Sequence, residues 1–326
     1  MKEYSSLPAD AGDISPASAM AESATPQGTV SSSVFRGSAR VAMYLSMLPG
    51  AVIYLVLGIA PSVATAVISL TNYTGVPGIP ANFVGIQNYV QAFTIDWPGV
   101  GGSIVDTLIF ALAVTVVQNA LALLVAEMLR RRVPGVGFFR ALIFMPAVLG
   151  VTVIGLMWAL IFNPSGGPAA NFLHLFHMTS AFFGSNSWAL PLVIFVQVWS
   201  SLGFTVLVYL SGMNAVPLEL YEAAQLDGAT GWAVFRFVTF PMIAPSMTVD
   251  VLLAAVGSLN VYDLIYVLTD GLYHTNTLGM FMFNSAFQGS GNLGFGATLS
   301  MMLFCITLAV ALPLQRYLRK REARIL

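Results

Sequence analysis

Residues 222–229 read Glu222-Ala223-Ala224-Gln225-Leu226-Asp227-Gly228-Ala229, a polar and helix-forming stretch between two long apolar segments. Phe235 follows it, and Pro241 and Pro245 stand at the beginning of the next apolar run. Two adjacent alanines give a short helix a face of small side chains, and Asp-Gly is typical of a helix end. Such a helix, placed between two apolar segments, is suited to docking into another protein.

The chain as a whole has the composition of a polytopic membrane protein. Of its 326 residues, 57% are hydrophobic and 8% are charged, and the mean hydropathy is +0.81. Soluble domains carry about 25% charged residues. The apolar runs are too long for barrel strands, and every backbone group in lipid must be satisfied within its own segment. We therefore predict an all-α transmembrane bundle.

Six apolar segments are long enough to cross a bilayer, since each has at least the roughly 20 residues required. The predicted spans are residues 41–71, 103–129, 138–163, 188–212, 241–267 and 293–315. In the first span, Pro49 and Pro61 predict a kink or a shorter helix. The sequence thus predicts a six-helix transmembrane domain over residues 41–315.

Positive charge is confined to one set of connections between these spans. The connections 72–102, 164–187 and 268–292 contain neither Lys nor Arg. The positive-inside rule therefore places both termini in the cytoplasm, the N-in/C-in orientation. Residues 1–40, rich in Ser, Ala and Pro, are predicted to be a disordered cytoplasmic tail, and residues 316–326 a basic one.

The loop 213–240 lies on the cytoplasmic side in this orientation. Pro217 suits the first turn of a helix predicted over Leu218–Leu226. Asp227-Gly228 ends that helix, because Gly readily adopts a left-handed cap. A second helical piece, residues 232–238, leads into Pro241. These signals alone fit equally well a surface helix that merely joins two spans.

Polar side chains inside the spans are candidates for contact with a solute, because such groups are costly in lipid and face a cavity or a partner helix. In spans four and five they are Gln197, Ser200, Ser201, Asp250, Ser258, Asn260 and Asp263, with Trp199, Phe204 and Tyr262 as aromatic neighbours. Such side chains provide directional hydrogen bonds and stacking faces. The alternative role of Ser and Asn is to hold helices together.

A phosphate-cradling loop of the form Gly-x4-Gly-Lys-Ser/Thr does not occur in the sequence, whose two lysines are Lys2 and Lys320. We predict no cofactor, and any ATP would be bound by another subunit. His174 and His177 have one-turn spacing, but they have no carboxylate or Cys nearby, so no metal site is predicted.

The order Tyr221-Glu222-Ala223-Ala224-x2-Asp227-Gly228-Ala229-x5-Phe235-x5-Pro241-x3-Pro245 resembles the EAA loop of binding-protein-dependent ABC importer permeases. More narrowly, it is similar to the carbohydrate-uptake branch, close to the larger maltose-type subunit. Three further stretches share this resemblance: residues 83–89, 139–146 and 268–271. Together they extend the resemblance over roughly residues 40–320.

The resemblance implies the type I ABC importer permease fold and a transporter whose subunits have separate roles. An extracellular solute-binding protein would deliver a sugar, two permease subunits would form the path, and a cytoplasmic ABC ATPase dimer would drive it. The implied ATPase-coupling contacts are Glu222, Ala223, Ala224, Asp227 and Gly228, and Ala229, Phe235, Pro241 and Pro245 complete the motif.

The resemblance also implies where a sugar would bind, near mid-membrane against spans four and five. The positions that most nearly match the contacts of the maltose-type subunit are Ser200, Ser201, Phe204, Ser258 and Val261, with Asn260 and Asp263 beside them. Helical spacing predicts that Ser258, Val261 and Ile265 share one stripe of span five.

Three other readings stay open at this stage. The chain could be an ABC permease for another solute, such as a glycerophosphodiester, a polyamine or phosphate. It could be an ion-coupled carrier that uses Asp106, Asp250 or Asp263 as its proton or sodium site. A membrane enzyme is the remaining class, although no nucleophile–base pair appears in the loops. Arg130-Arg131-Arg132 is predicted to anchor the topology rather than to bind nucleic acid.

Overall fold

The computed structural model describes residues 44–130, 135–288 and 291–324, which are helical apart from turns, loops and one isolated antiparallel bridge between Thr71 and Phe83. We number the helices α1 to α13. In chain order they are α1 Tyr44–Ile68, α2 Gln87–Thr94, α3 Trp97–Arg130, α4 Val136–Val148, α5 Val151–Ile161, α6 Pro168–His174, α7 Ala189–Asn214, α8 Leu218–Leu226, α9 Gly231–Met242, α10 Ala244–Leu259, α11 Asp263–Leu268, α12 Leu278–Phe287 and α13 Leu293–Glu322. The predicted all-α class is confirmed, while the predicted tail 1–40 lies outside the described residues.

The long apolar helices follow the six predicted segments, but not all of them are continuous. Helices α1, α3, α7 and α13 are each long and apolar enough to cross a membrane. Two bent pairs, α4–α5 and α9–α10, raise the number of candidate spans to six if each pair counts as one. Helix α13 runs on to Glu322, so most of the predicted basic tail 316–326 is helical.

The third predicted span, residues 138–163, is broken rather than straight. Helix α4 contains Pro146 and ends at Val148, and α5 begins at Val151 after a bend of 101°. Leu149 and Gly150 have extended backbone at the break. Proline removes a helical hydrogen bond and crowds the preceding turn, which favours a break close by.

The prediction of one continuous helix for the fifth span, residues 241–267, is also wrong. A bend of 71° separates α9 from α10 near Ile243, and α10 ends at Leu259. The chain then turns, and the short helix α11 begins at Asp263. The expected helical stripe through Ser258, Val261 and Ile265 is therefore interrupted.

Packing around α7 positions the residues of the site described below. Helices α3 and α7 share a buried hydrogen bond, in which Gln118 Nε2 donates to Thr205 Oγ1 at 2.8 Å. On another side of α7, Gly203 lies against the backbone of α4, and an added Cβ would be 2.4 Å from the Ile143 carbonyl oxygen. Glycine at this position lets the two helices cross closely.

The chain divides into two units, one ending at Ala60 and the other comprising Pro61–Leu326. The described helical residues of the first unit, from Tyr44 onward, are mostly apolar and are exposed. The second unit holds the packed helices, and four of them, α2, α6, α8 and α12, lie wholly in connections between the predicted spans. Among these, α12 is apolar, and its Leu278 and Met280 are fully buried.

Candidate functional site

The quoted stretch 222–229 forms the end of helix α8 and the cap that follows it. Helix α8 covers Leu218–Leu226, as the sequence predicts. Gly228 has a left-handed backbone with φ of +76°, and the Ala229 N–H donates to the Ala224 carbonyl at 2.9 Å. This hydrogen bond across a left-handed glycine is the pattern of a Schellman-type end. The predicted glycine cap is confirmed.

The outer face of α8 combines charged, small and large apolar side chains. Glu222, Ala223 and Asp227 are exposed. Leu226 is 90% exposed and Leu218 is 66% exposed, although both are large and apolar. Helix α8 thus leaves two large apolar side chains, two turns apart, uncovered within the chain.

The inner face of α8 is fixed to the transmembrane body through Tyr221. Its side chain is 7% exposed, and the Arg130 guanidinium at the end of α3 lies 4.8 Å from the ring centroid. Arg130 is itself held by a fork of hydrogen bonds to Glu127, at 3.1 and 3.0 Å. The Thr239 hydroxyl on α9 donates to the Tyr221 hydroxyl at 3.4 Å. Tyr221 therefore links α8 to both α3 and α9.

This link is the part of the loop that sequence reasoning missed. Tyr221 belongs to the quoted motif but received no role, because its partner Arg130 is distant in sequence. The available signal was chemical: an aromatic ring and an arginine on the same side of the membrane form a favourable cation–π pair.

The remaining motif residues are partly buried and pack within the protein. Ala224 and Ala229 are partly buried and pack against the core beneath α8. The Phe235 ring stacks on the Trp232 ring with centroids 5.4 Å apart. Pro241 lies in the last turn of α9 and Pro245 in the first turn of α10, on the two sides of the bend at Ile243.

A cleft of about 360 Å³ lies where the bent pair α4–α5 meets α7. Its lining residues are Phe144, Pro146, Ala147, Leu149, Val151, Ile154, Gln197, Ser200, Ser201, Phe204 and Leu264. The break in the third span thus creates the cleft, and three of the predicted substrate-path residues, Ser200, Ser201 and Phe204, meet in it.

The polar groups of the cleft form one local network on α7. The Ser200 and Ser201 hydroxyls donate to the Gln197 backbone carbonyl at 2.9 and 3.0 Å, and Gln197 Nε2 donates to Ser201 Oγ at 3.0 Å. Hydroxyl and amide oxygens have further lone pairs, so they can accept from a ligand. Phe144 and Phe204 add aromatic rings. Among the described lining residues none carries a charge.

The other predicted substrate-path residues do not line this cleft. Ser258 is buried and its hydroxyl donates to the Ala254 carbonyl at 2.6 Å. Val261 is buried in the core. Asn260 and Asp263 are exposed at the turn between α10 and α11. Leu264 is the residue of this segment that lines the cleft.

The chain is similar to known proteins in both sequence and fold. Residues 118–323 match the family described as binding-protein-dependent transport system inner membrane component. The chain is 31% identical to the multiple sugar-binding transport system permease protein MsmF of Streptococcus mutans, over 76% of this chain and 84% of that protein. It is 30% identical to the trehalose/maltose transport system permease protein MalF of Thermococcus litoralis, over 82% of this chain and 90% of that protein.

A solved structure shares the fold over most of the chain. It is a bacterial alginate ABC transporter in complex with an alginate pentasaccharide-bound periplasmic protein. One of its chains aligns with a TM-score of 0.76 and 20% identity, covering 87% of this chain and 96% of that chain.

Proposed function

Because this chain belongs to the family of binding-protein-dependent transport system inner membrane components, we propose that it forms half of the path of an ATP-driven sugar importer. It is a transport subunit rather than an enzyme, as its permease relatives are. The proposed orientation places α8 and both termini in the cytoplasm, in accordance with the distribution of Lys and Arg.

The observation that carries this proposal is the exposed helix α8 with its attachment through the buried Tyr221. An ATPase that closes when it binds ATP can move the transmembrane helices only by acting on an element that is connected to them. Glu222, Ala223 and Asp227 form an accessible surface for an ATPase, and Leu226 gives that surface an apolar centre. Tyr221 connects the same helix to the end of α3.

The lining of the cleft on α7 is suited to bind a neutral, hydroxyl-rich solute. A polyamine would require carboxylates around it, and a phosphate or phosphodiester would require cations or an arranged set of N–H donors. The described lining residues of the cleft provide Ser, Gln and Phe instead. This composition favours a sugar or oligosaccharide, in agreement with the names of the two relatives.

An importer of this kind requires further protein subunits besides this chain. A second permease subunit would complete the path, an ABC ATPase dimer would bind ATP, and an extracellular protein would deliver the sugar. The periplasmic protein bound in the alginate transporter structure supports the last of these. An ion-coupled carrier is less well supported, because the matched family is described as binding-protein-dependent and the two relatives are named as permease proteins of sugar transport systems.

A pull-down of the tagged chain in mild detergent, followed by mass spectrometry, tests this function. We expect an ATPase and a second permease to be recovered with the wild-type chain and the ATPase to be lost with Gly228→Asp. Gly78→Asp is the matched control, since both glycines have left-handed backbone and a Cβ at either meets no atom within 4 Å. Recovery of the chain alone in several detergents would contradict the proposal.

A further inference from the structure

A second cleft, of about 430 Å³, lies between the beginning of α10 and the end of α13. Its lining residues are Pro245, Thr248, Val249, Arg319, Glu322 and Ala323. It is separate from the cleft on α7, and nothing in the proposed import cycle uses it. Its position beside the bend at Ile243 places it next to the loop that carries α8.

Two opposite charges, on Arg319 and Glu322, line this cleft without forming an ion pair with each other. Arg319 and Glu322 are one helical turn apart on α13, a spacing at which ion pairs commonly form. Within the described residues, however, no ion pair joins them; the pair found there is Arg130 with Glu127. The neighbouring Arg321 is engaged elsewhere, with its guanidinium 4.7 Å from the Phe240 ring centroid. The cleft thus offers one cation and one anion, both available to a ligand.

The length of α13 places this cleft at the level of the lipid head groups. Helix α13 has 30 residues, which at 1.5 Å per residue corresponds to roughly 45 Å. The hydrocarbon core takes about 20 residues of a helix. If the apolar part begins near Leu293, the last turns, with Arg319 and Glu322, extend beyond the hydrocarbon core.

An apolar surface continues from the cleft along the same two helices. On α10, Val249 is 55% exposed and Leu253, one turn further, is 54% exposed. On α13, Leu308 and Leu312 are exposed at the same spacing, and Arg319 follows Leu312 by seven residues, on the same face. An occupant with a charged head and a hydrocarbon chain would match both parts of this surface.

We propose that this cleft binds phosphatidylethanolamine, with the lipid phosphate on the Arg319 guanidinium and the lipid ammonium on the Glu322 carboxylate. Arginine is well suited to phosphate because its planar fork donates two parallel hydrogen bonds. The primary ammonium of the ethanolamine head group donates hydrogen bonds to a carboxylate, which a quaternary choline cannot do. An anionic phosphatidylglycerol has no cation for Glu322 and would be repelled by it.

Native mass spectrometry of the purified full chain tests this assignment. The chain is exchanged into phosphatidylethanolamine, phosphatidylcholine or phosphatidylglycerol of identical acyl chains, and the lipids that remain bound are counted. We expect about tenfold greater retention of phosphatidylethanolamine than of the other two, as one charge-assisted hydrogen bond provides. Glu322→Gln should abolish that preference, and Arg319→Gln should lower the retention of all three lipids, because the phosphate is common to them.

Arg316→Gln and Lys320→Gln are the matched controls, because both residues are exposed on the same helix end but do not line the cleft. They should retain phosphatidylethanolamine as the wild-type chain does. Equal retention of the three lipids, a preference for phosphatidylglycerol, or an equal effect of the control substitutions would each overturn the assignment. The readout does not depend on transport, so it is independent of the proposed function.

Discussion

Replacing Gly203 with alanine should force apart the two helices that form the cleft on α7. The added Cβ would lie 2.4 Å from the Ile143 carbonyl oxygen and 2.7 Å from the Phe144 Cα, and both are backbone atoms that cannot rotate away. Since C···O contacts are about 3.3–3.6 Å at their closest, α4 must move by about 1 Å. Phe144, which lines the cleft, would move with it.

The change in folding stability caused by Gly203→Ala is the difference between an overpacking cost and a gain in helix propensity. Overpacking of a close helix contact costs up to about 3 kcal/mol. Alanine in place of glycine inside a helix returns about 1 kcal/mol at most. We therefore expect Gly203→Ala to destabilise the fold by about 2 kcal/mol.

Thermal unfolding in detergent, followed by size-exclusion chromatography of the protein that remains folded, measures this loss. Gly102→Ala is the matched control, since Gly102 lies inside α3 and a Cβ there meets no atom within 4 Å. It should melt at or slightly above the wild-type temperature. If Gly203→Ala also melted there, α4 and α7 would not cross as closely as described, and the geometry of the cleft would be wrong.

Three further substitutions test the loop, the cleft and the energy source. Tyr221→Ala should expose loop 213–240 to limited proteolysis, because losing a buried aromatic ring costs about 3–5 kcal/mol, whereas Tyr221→Phe should leave it protected. Ser201→Ala should lower sugar uptake by roughly 2–10-fold, the value of one hydrogen bond, without altering partner recovery in the pull-down. Asp250→Asn should leave uptake insensitive to ionophores, as in the wild type; a gradient-dependent uptake that this variant abolishes would favour an ion-coupled carrier.

Local signals were sufficient to predict the loop from its sequence. Helix α8 begins after Pro217 and ends before Gly228, because both residues act on the backbone at their own positions. The four long helices were likewise predictable, since continuous apolar runs of that length have few alternatives. Helix α3 begins before its predicted limit, at Trp97, and α13 ends after its own, at Glu322, because hydropathy marks the lipid boundary rather than the end of a helix.

The bends and the long-range contacts could not be predicted in this way. The 101° bend after Val148 occurs inside an uninterrupted apolar run, so hydropathy does not reveal it, and Pro146 alone is compatible with a mere kink. The cleft exists because of that bend. The contact between Tyr221 and Arg130 joins residues far apart in sequence, and the chemical complementarity of the two side chains does not by itself say that they meet.

In the proposed import cycle, the exposed helix α8 is the element through which ATP hydrolysis moves the sugar path. The most direct test reconstitutes the chain with its partners in proteoliposomes and measures labelled sugar uptake and ATP hydrolysis in the same vesicles. With Gly228→Asp we predict that uptake falls to background while the amount of chain in the membrane is unchanged, and that Gly78→Asp behaves as wild type. Normal uptake by Gly228→Asp, at the wild-type ratio of sugar to ATP, would contradict the account.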